Sequence, residues 1–266
     1  MKQILWFRRD LRVNDSAILS FAKDEVLPIF IFDKNILDKL QEDDKRVTFI
    51  YKSVLKLKED LKNLGLDLAV FYSTPKEVFE GFKNQGFDSV LCSVDFDDYA
   101  KKRDEEIAKI IPMQTFFDSF ITHPNDCLKA DKTPYKVFTP YYNNLKFIWN
   151  SYRLEEFETN KNLKLIPFDF DSIPTLENMG FIKQTLPDFL QKNPDELLKD
   201  FEQKIDNYKI DRDFFDKNAT SNLAVHLRFG LLSPRQIFNK IKVFKARNEN
   251  KEFFVRELFW REFYNY

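Results

Sequence analysis

The sequence predicts an α/β protein: a five-stranded parallel Rossmann-like sheet domain, then a linker and an incomplete all-α domain. Three observations predict it. Across residues 1–120, short continuously apolar runs alternate with amphipathic stretches, the pattern of strands covered by helices on both faces. Between about residues 122 and 185, Pro124, Pro134, Pro140, Pro167 and Pro174 break the pattern, and polar residues dominate 155–165. From Leu186 onward the spacing is helical, with no strand candidate. The expected divisions are 1–125, 126–185 and 186–266.

The elements follow in order. Ile4–Phe7, Val26–Phe32, Leu66–Tyr72, Ser89–Ser93 and Gln114–Phe117 read as strands. The clearest helix runs from about Arg46 to Leu64, where Val47, Ile50, Val54, Leu57, Leu61 and Leu64 form one helical stripe. Gly65 ends it, because glycine tolerates left-handed dihedrals. Thr74-Pro75 opens the next helix, with proline in the first turn. The proline-punctuated stretch reads as a long ordered connector with short helices, a length that is unusual unless it packs or carries function. The last helix reads Glu252 to Tyr266 and has no glycine cap, no cationic last turn and no following proline. The expectation is a chain cut inside a domain.

Composition excludes several classes. With 43% hydrophobic residues, 30 Phe, 10 Tyr and 3 Trp, the composition argues against intrinsic disorder. Lys+Arg of 42 against Asp+Glu of 43 removes the simple argument for a nucleic-acid coat while leaving room for a local basic patch. No run approaches the roughly 20 apolar residues of a membrane span. The N-terminus turns charged at Arg8-Arg9-Asp10, too soon for a signal peptide. Cys92 and Cys127 stand far apart, which argues against a disulfide framework or thiolate zinc site and suits a reducing cytoplasm. His123 and His226 are the only histidines, so a multi-histidine metal centre is excluded.

Five motifs remain, each with a bland reading and a functional one. There is no G-x-G-x-x-G and no P-loop among the five glycines, so an ordinary dinucleotide site is disfavoured. Trp6 to Arg12 sits where the first strand leaves the sheet, the edge at which open α/β sheets bind ligands; its arginines and aspartate could equally tie down the loop. Asp95 to Asp104 follows the fourth strand and reads either as a ligand edge or as a solvated helix start. Thr220, Ser221, Asn222, Leu223 and Ala224 precede an apolar helix; the hydroxyls could cap it, or hold phosphate oxygens with the first backbone N–H groups. Glu257, Trp260, Arg261 and Tyr264 stand at i, i+3, i+4 and i+7, which puts four large planar or charged groups on one helix face. That face suits a wall for a planar ligand, or an exposed Glu–Arg pair beside half-buried aromatics. Tyr208 with Arg212 and Asp213 makes a further aromatic–basic pair, and His226 reads as a structural histidine.

Together these segments resemble the DNA photolyase/cryptochrome family. Trp6-Phe7-Arg8-Arg9-Asp10-Leu11-Arg12 is similar to its opening, and Phe49, Ser53, Leu57, Leu61, Leu64 and Gly65 to its second helix. Thr133-Pro134-Tyr135-Lys136-Val137-Phe138-Thr139-Pro140-Tyr141 is similar to its linker signature. The block from Thr220 through Leu232-Ser233-Pro234-Arg235-Gln236 resembles its flavin phosphate-binding helix pair, and Glu257 to Tyr264 its strongest motif. The resemblance covers the whole chain in order and is nearest to a class I-like cyclobutane pyrimidine dimer photolyase.

The resemblance implies the following. Tyr208, Thr220, Ser221, Leu223 and Arg261 match positions that contact FAD, with Asn222 and Ala224 in the same loop where the family more often has a basic residue and a serine. Arg212, Glu257 and Trp260 match the DNA-facing side; Trp260 would stack on a pyrimidine dimer flipped out of UV-damaged DNA and Glu257 would hydrogen-bond it. The implied chemistry is dimer splitting by an electron from photoexcited reduced FAD. An antenna chromophore, a folate or a deazaflavin, is implied for the α/β domain. The alternative is a cryptochrome, a blue-light receptor without repair activity. Family chains continue well beyond the tryptophan–arginine helix, so the resemblance also implies an N-terminal portion whose own activity is an expectation of the parent, a monomer when complete.

Overall fold

The computed structural model describes residues 1–265. Its contacts divide the chain into two units, Met1–Asp118 with Phe157–Leu190 and Phe229–Leu231, and Ser119–Glu156 with Gln191–Arg228 and Leu232–Tyr266.

The first unit holds the sheet. Its elements are β1 (Lys2–Phe7), α1 (Ala17–Phe21), β2 (Glu25–Asp33), α2 (Lys34–Leu37), α3 (Lys45–Asn63), β3 (Ala69–Ser73), α4 (Pro75–Phe82), β4 (Ser89–Ser93), α5 (Asp98–Ala108), β5 (Met113–Phe116) and β6 (Lys164–Leu165). The strand order is β3-β2-β1-β4-β5 and every pairing is parallel. Alternate residues of one strand serve opposite faces. Leu5, Phe7, Phe30 and Phe32 pack with Val54, Leu57 and Leu61 of α3. Ile4, Trp6, Ile29 and Ile31 pack with Phe79 and Phe82 of α4 and Ile107 of α5. The α/β class and the parallel sheet are as the sequence predicts.

The details show where local pattern suffices. Asp44 caps α3 by accepting from Arg46 N at 2.9 Å, and Gly65 takes φ +75° just past its end. Thr74 and Glu77 close a reciprocal capping box around Pro75. The expected strand Leu66–Tyr72 pairs only from Ala69: Leu66 and Leu68 are buried in the core, while Asp67 between them takes the ammonium of Lys58. Burial alone makes those residues look like strand. β6 is a strand that the sequence reading lacks. It pairs with Glu25 and Val26, the part of β2 that β3 leaves open. Its two residues lie in a polar stretch with no period to read.

Much of the connector packs. Leu176, Met179 and Phe181 enter the α3 side of the core. Gln184 N donates to Thr48 Oγ1 at 3.0 Å, and Lys58 Nζ reaches Phe170 O at 2.8 Å. A second distant insertion is Phe229–Leu231. Leu11 N donates to Phe229 O at 3.1 Å, and Arg12 Nη1 to Gly230 O at 3.3 Å. Gly230 has φ +67°, and a Cβ there would stand 2.1 Å from Arg9 O. Only glycine fits.

The second unit is helical: α6 (Phe138–Leu145), α8 (Pro194–Glu202), α9 (Tyr208–Asp211), α10 (Ala224–Arg228), α11 (Pro234–Val243) and α12 (Asn248–Phe263), with 3₁₀ turns at Pro124–Cys127 and Lys146–Asn150, while the short α7 (Asp188–Gln191) falls at the division and belongs mostly to the first unit. Phe201, Phe254 and Tyr208 form an aromatic centre, with ring centroids 4.5 Å apart for Phe201–Phe254 and 5.4 Å for Tyr208–Phe254. α12 begins at Asn248, four residues before the expected Glu252. Its first turn is polar but anchored, since Asn250 Nδ2 donates to Asp206 O at 3.0 Å. Tyr266, the expected end of that helix, lies outside the described residues. Among the described residues no helix is long and apolar enough to cross a membrane.

Candidate functional site

The strand order reverses between β1 and β4, the crevice where an open sheet usually receives a ligand. Here it is filled by ion pairs. Arg8 Nη1 meets Asp104 at 2.6 Å and its other nitrogen meets Ser93 O. Arg9 bridges Asp95 at 2.8 Å and Asp97 at 3.2 Å. Asp10, fully buried, accepts from Arg8 N at 2.7 Å and Ser93 Oγ at 2.5 Å; burial and the nearby Asp118 push its carboxyl up. Arg12 holds Asp118 at 2.7 Å. The guanidinium groups of Arg8 and Arg103 each lie 4.8 Å from the Trp6 ring. The opening motif therefore ties down its loop. The Asp95–Asp104 segment starts a helix, with Asp97 capping α5 through Ala100 N at 2.8 Å. Farther along the same edge, the Tyr99 hydroxyl donates to Asp33, and Tyr72 donates to Asp38 at 3.0 Å.

The remaining candidates lie in the helical unit. Tyr208 is buried, with Arg212 one turn on. The Arg212 guanidinium stands 5.7 Å from the Tyr208 ring and 5.0 Å from Phe253, and ion-pairs with Glu257. Burial and the Glu257 charge raise the Tyr208 phenol above its usual range. Tyr208 of α9, Arg212 just past its end and Glu257 of α12 form one cluster.

Trp260 belongs to a second one. Its ring lies on Phe138 of α6, with centroids 3.6 Å apart and planes 11° from parallel. Tyr264 stacks on it at 5.5 Å and 23°. Arg261 turns elsewhere, donating to Ser119 O at 2.7 Å and lying 4.6 Å from the Phe120 ring. The i, i+3, i+4, i+7 set thus serves three neighbourhoods. Glu262, the residue after Arg261, is fully buried, and its carboxylate accepts from Ile121 N at 2.7 Å, Thr122 N at 3.1 Å and Thr122 Oγ1 at 2.5 Å.

The Thr220–Ala224 loop is a third element. Asn222 adopts φ +57°, a conformation that asparagine tolerates better than most residues. Thr220 is exposed and its hydroxyl donates to Asn222 Oδ1 at 3.2 Å. Ser221 Oγ accepts from Leu223 N at 3.5 Å. Leu223 is buried and anchors the loop, and Ala224 opens α10 on the exposed side. Two hydroxyls and the backbone N–H groups around a left-handed turn suit the oxygens of a diphosphate. His226 on α10 is buried, its Nε2 3.2 Å from Lys192 O, and burial lowers its pKa, in keeping with a structural role. Among the described residues no group of three metal-ligating side chains occurs.

Sequence reasoning missed Phe138, Arg256 and Glu262 as site neighbours. Phe138 carried the only usable signal, an aromatic run at helical spacing with Tyr141 and Tyr142. Arg256, one turn before Trp260, stands 5.0 Å from the Tyr142 ring and 5.9 Å from both Phe138 and Phe253.

A family model described as DNA photolyase matches residues 3–159. A deoxyribodipyrimidine photo-lyase of Alkalihalophilus pseudofirmus is 28% identical over 98% of this chain and 58% of its own length. One from Buchnera aphidicola is 27% identical over 99% of this chain and 59% of its own. An archaeal photolyase from Sulfolobus tokodaii, whose crystal structure holds two FAD molecules, superposes with a TM-score of 0.78 at 26% identity, over all of this chain and 59% of that one. A Synechocystis cryptochrome superposes with a TM-score of 0.83 at 19% identity, a likeness of fold. The chain therefore spans somewhat under two thirds of the length of the relatives it matches.

Proposed function

The chain belongs to the DNA photolyase family, and on that premise we propose that it serves light-dependent repair of cyclobutane pyrimidine dimers, with FAD as cofactor and UV-damaged DNA as partner. The observation that carries this reading is the pairing of Arg212 with Glu257 one helical turn from the Trp260–Phe138 stack. Arg212 holds the Glu257 carboxylate in place, where it accepts a hydrogen bond from an imide N–H of an extruded pyrimidine. Trp260, backed by Phe138, offers a rigid platform for the flipped bases. Base–aromatic stacking of this kind contributes about 1–3 kcal/mol per base.

Residues 186–266 open the FAD-binding domain in this reading, and 1–125 form the antenna domain. Thr220, Ser221 and the backbone from Asn222 to Ala224 would hold the FAD diphosphate, with Leu223 fixing the loop. Tyr208 and Arg261 complete the flavin-side set. FAD supplies the light-driven electron when bound. An antenna, a folate or a deazaflavin, would sit at the sheet edge of Tyr72 and Tyr99, beside the crevice that the arginines fill. The two buried free cysteines suit a reducing cytoplasm.

The test measures binding of this chain, with FAD added, to a duplex carrying one thymine dimer and to the undamaged duplex, followed by blue-light repair. Preference for the dimer, lost roughly ten- to a hundredfold in Trp260→Ala, is the expected result. Equal binding of both duplexes by the parent chain overturns the reading. Dimer preference with no repair would leave recognition standing and move the chain towards the blue-light receptor alternative.

A further inference from the structure

Arg256 is held in an unusual way. Its guanidinium lies against three rings, Phe138, Tyr142 and Phe253, and has no hydrogen-bond or ion-pair partner among the described residues. The two carboxylates beside it are engaged elsewhere. Glu252, one turn before it, takes Lys146 Nζ at 3.3 Å and the Tyr142 hydroxyl at 3.1 Å. Glu257, the next residue, takes Arg212. A guanidinium ordered by aromatic faces loses little entropy when it meets an anion, and its five N–H donors match phosphate oxygens.

The surroundings extend the charge away from Trp260. Glu252 lies eight residues before Trp260, about 12 Å along the helix, and Lys146 reaches it from the exposed 3₁₀ turn. Lys242 follows: its Nζ donates to Trp149 O at 2.8 Å, sits 4.1 Å from the Trp149 ring and, among the described residues, has no carboxylate within ion-pairing reach. One strand of B-form DNA places a phosphate every 3.4 Å or so. A strand that followed α12 away from Trp260 would pass about three phosphates before Lys146.

We propose that Arg256 is a phosphate-binding residue for the DNA strand flanking the Trp260 platform, and that Lys146 and Lys242 continue the same track. The proposal rests on the reading above that Trp260 faces DNA. It adds a sequence-independent contact on one side of the lesion: Arg256 grips backbone, and Trp260 and Glu257 read bases.

The experiment titrates undamaged and dimer-containing duplexes with the parent chain, Arg256→Gln and Arg256→Lys across a salt series. Arg256→Gln is expected to flatten the slope of log affinity against log salt by about one. It should weaken both duplexes by the same factor, leaving the dimer preference intact. Arg256→Lys keeps the charge and should keep the parent slope. An unchanged slope in Arg256→Gln overturns the proposal, as does an equal loss in Arg256→Lys, which would mark a packing effect. Failure of the parent chain to bind undamaged duplex at low salt overturns it too. The two readings separate: a parent chain without dimer preference whose slope still falls in Arg256→Gln has the phosphate track but not the lesion site.

Discussion

Glu262 and Thr122 share two hydrogen bonds in the helical unit, the carboxylate accepting from the Thr122 backbone N–H at 3.1 Å and from its hydroxyl at 2.5 Å. This fully buried carboxyl fastens the segment before α6 to the last turn of α12. Burial dominates its titration and pushes its pKa up to about 7, against the pull of those donors.

A pH dependence follows from that shift. Above pH 7 or so Glu262 is charged in both folded and unfolded chains, and the folded state bears the burial cost. As pH falls from about 7 towards the unfolded value near 4.5, the folded protein takes up a proton first. This group therefore adds stability as pH falls through that window, about 1.4 kcal/mol per pH unit at most. Urea unfolding at pH 5.5 and pH 8 should show its contribution, and Glu262→Gln should flatten the difference. A variant whose pH profile matches the parent's would refute the assignment.

Gly230→Ala should be severe. The new methyl meets backbone atoms of Arg9 and Asp10, at 2.1 and 2.6 Å, and the left-handed φ is unfavourable as well. We expect a loss of about 2–4 kcal/mol in unfolding free energy. An exposed left-handed glycine with open space around it, Gly86, is the control, expected to cost about 1 kcal/mol as alanine.

Arg212 and Glu257 are each about a third exposed, at 29% and 33% of the side chain, so solvent screens their attraction. A double-mutant cycle with Arg212→Gln and Glu257→Gln should give a coupling of about 1 kcal/mol in stability. In binding to dimer-containing DNA, each single variant should lose most of what the double variant loses. Strictly additive losses in binding would show that the pair does not act as one unit.

Cys92 is fully buried in the sheet, and burial pushes its thiol up to about 11. It should resist a thiol reagent at pH 8 in the folded protein and react at once in denaturant. Cys127, buried beside Thr122 at 3.1 Å, should behave likewise. Rapid labelling of either residue under native conditions would contradict this burial.

Much of the fold was legible because local period and capping agree with the tertiary result. The α3 stripe, its glycine terminator and the Thr74-Pro75 box needed no long-range information. β6 and the packed part of the connector were not legible, since two strand residues in a polar stretch are selected only by the open edge of β2. In the site, residue types and spacing singled out Tyr208, Arg212, Glu257 and Trp260, and the fold brings the first three together. Spacing could not say that Arg261 would leave its helix neighbours for Ser119 O.

By itself the sequence determined the alternation of strand and helix, the helical second half, and which aromatic and charged residues were available for chemistry. Those follow from side-chain period and composition, which are properties of neighbours along the chain. Only the tertiary structure decided that the strand-exit arginines are consumed by aspartates, that Gly230 closes on Arg9, and that Phe138 backs Trp260 while Arg256 meets three rings and, among the described residues, no carboxylate. Each of these depends on which groups from distant segments the fold brings into a shared space, and no window of sequence contains that competition.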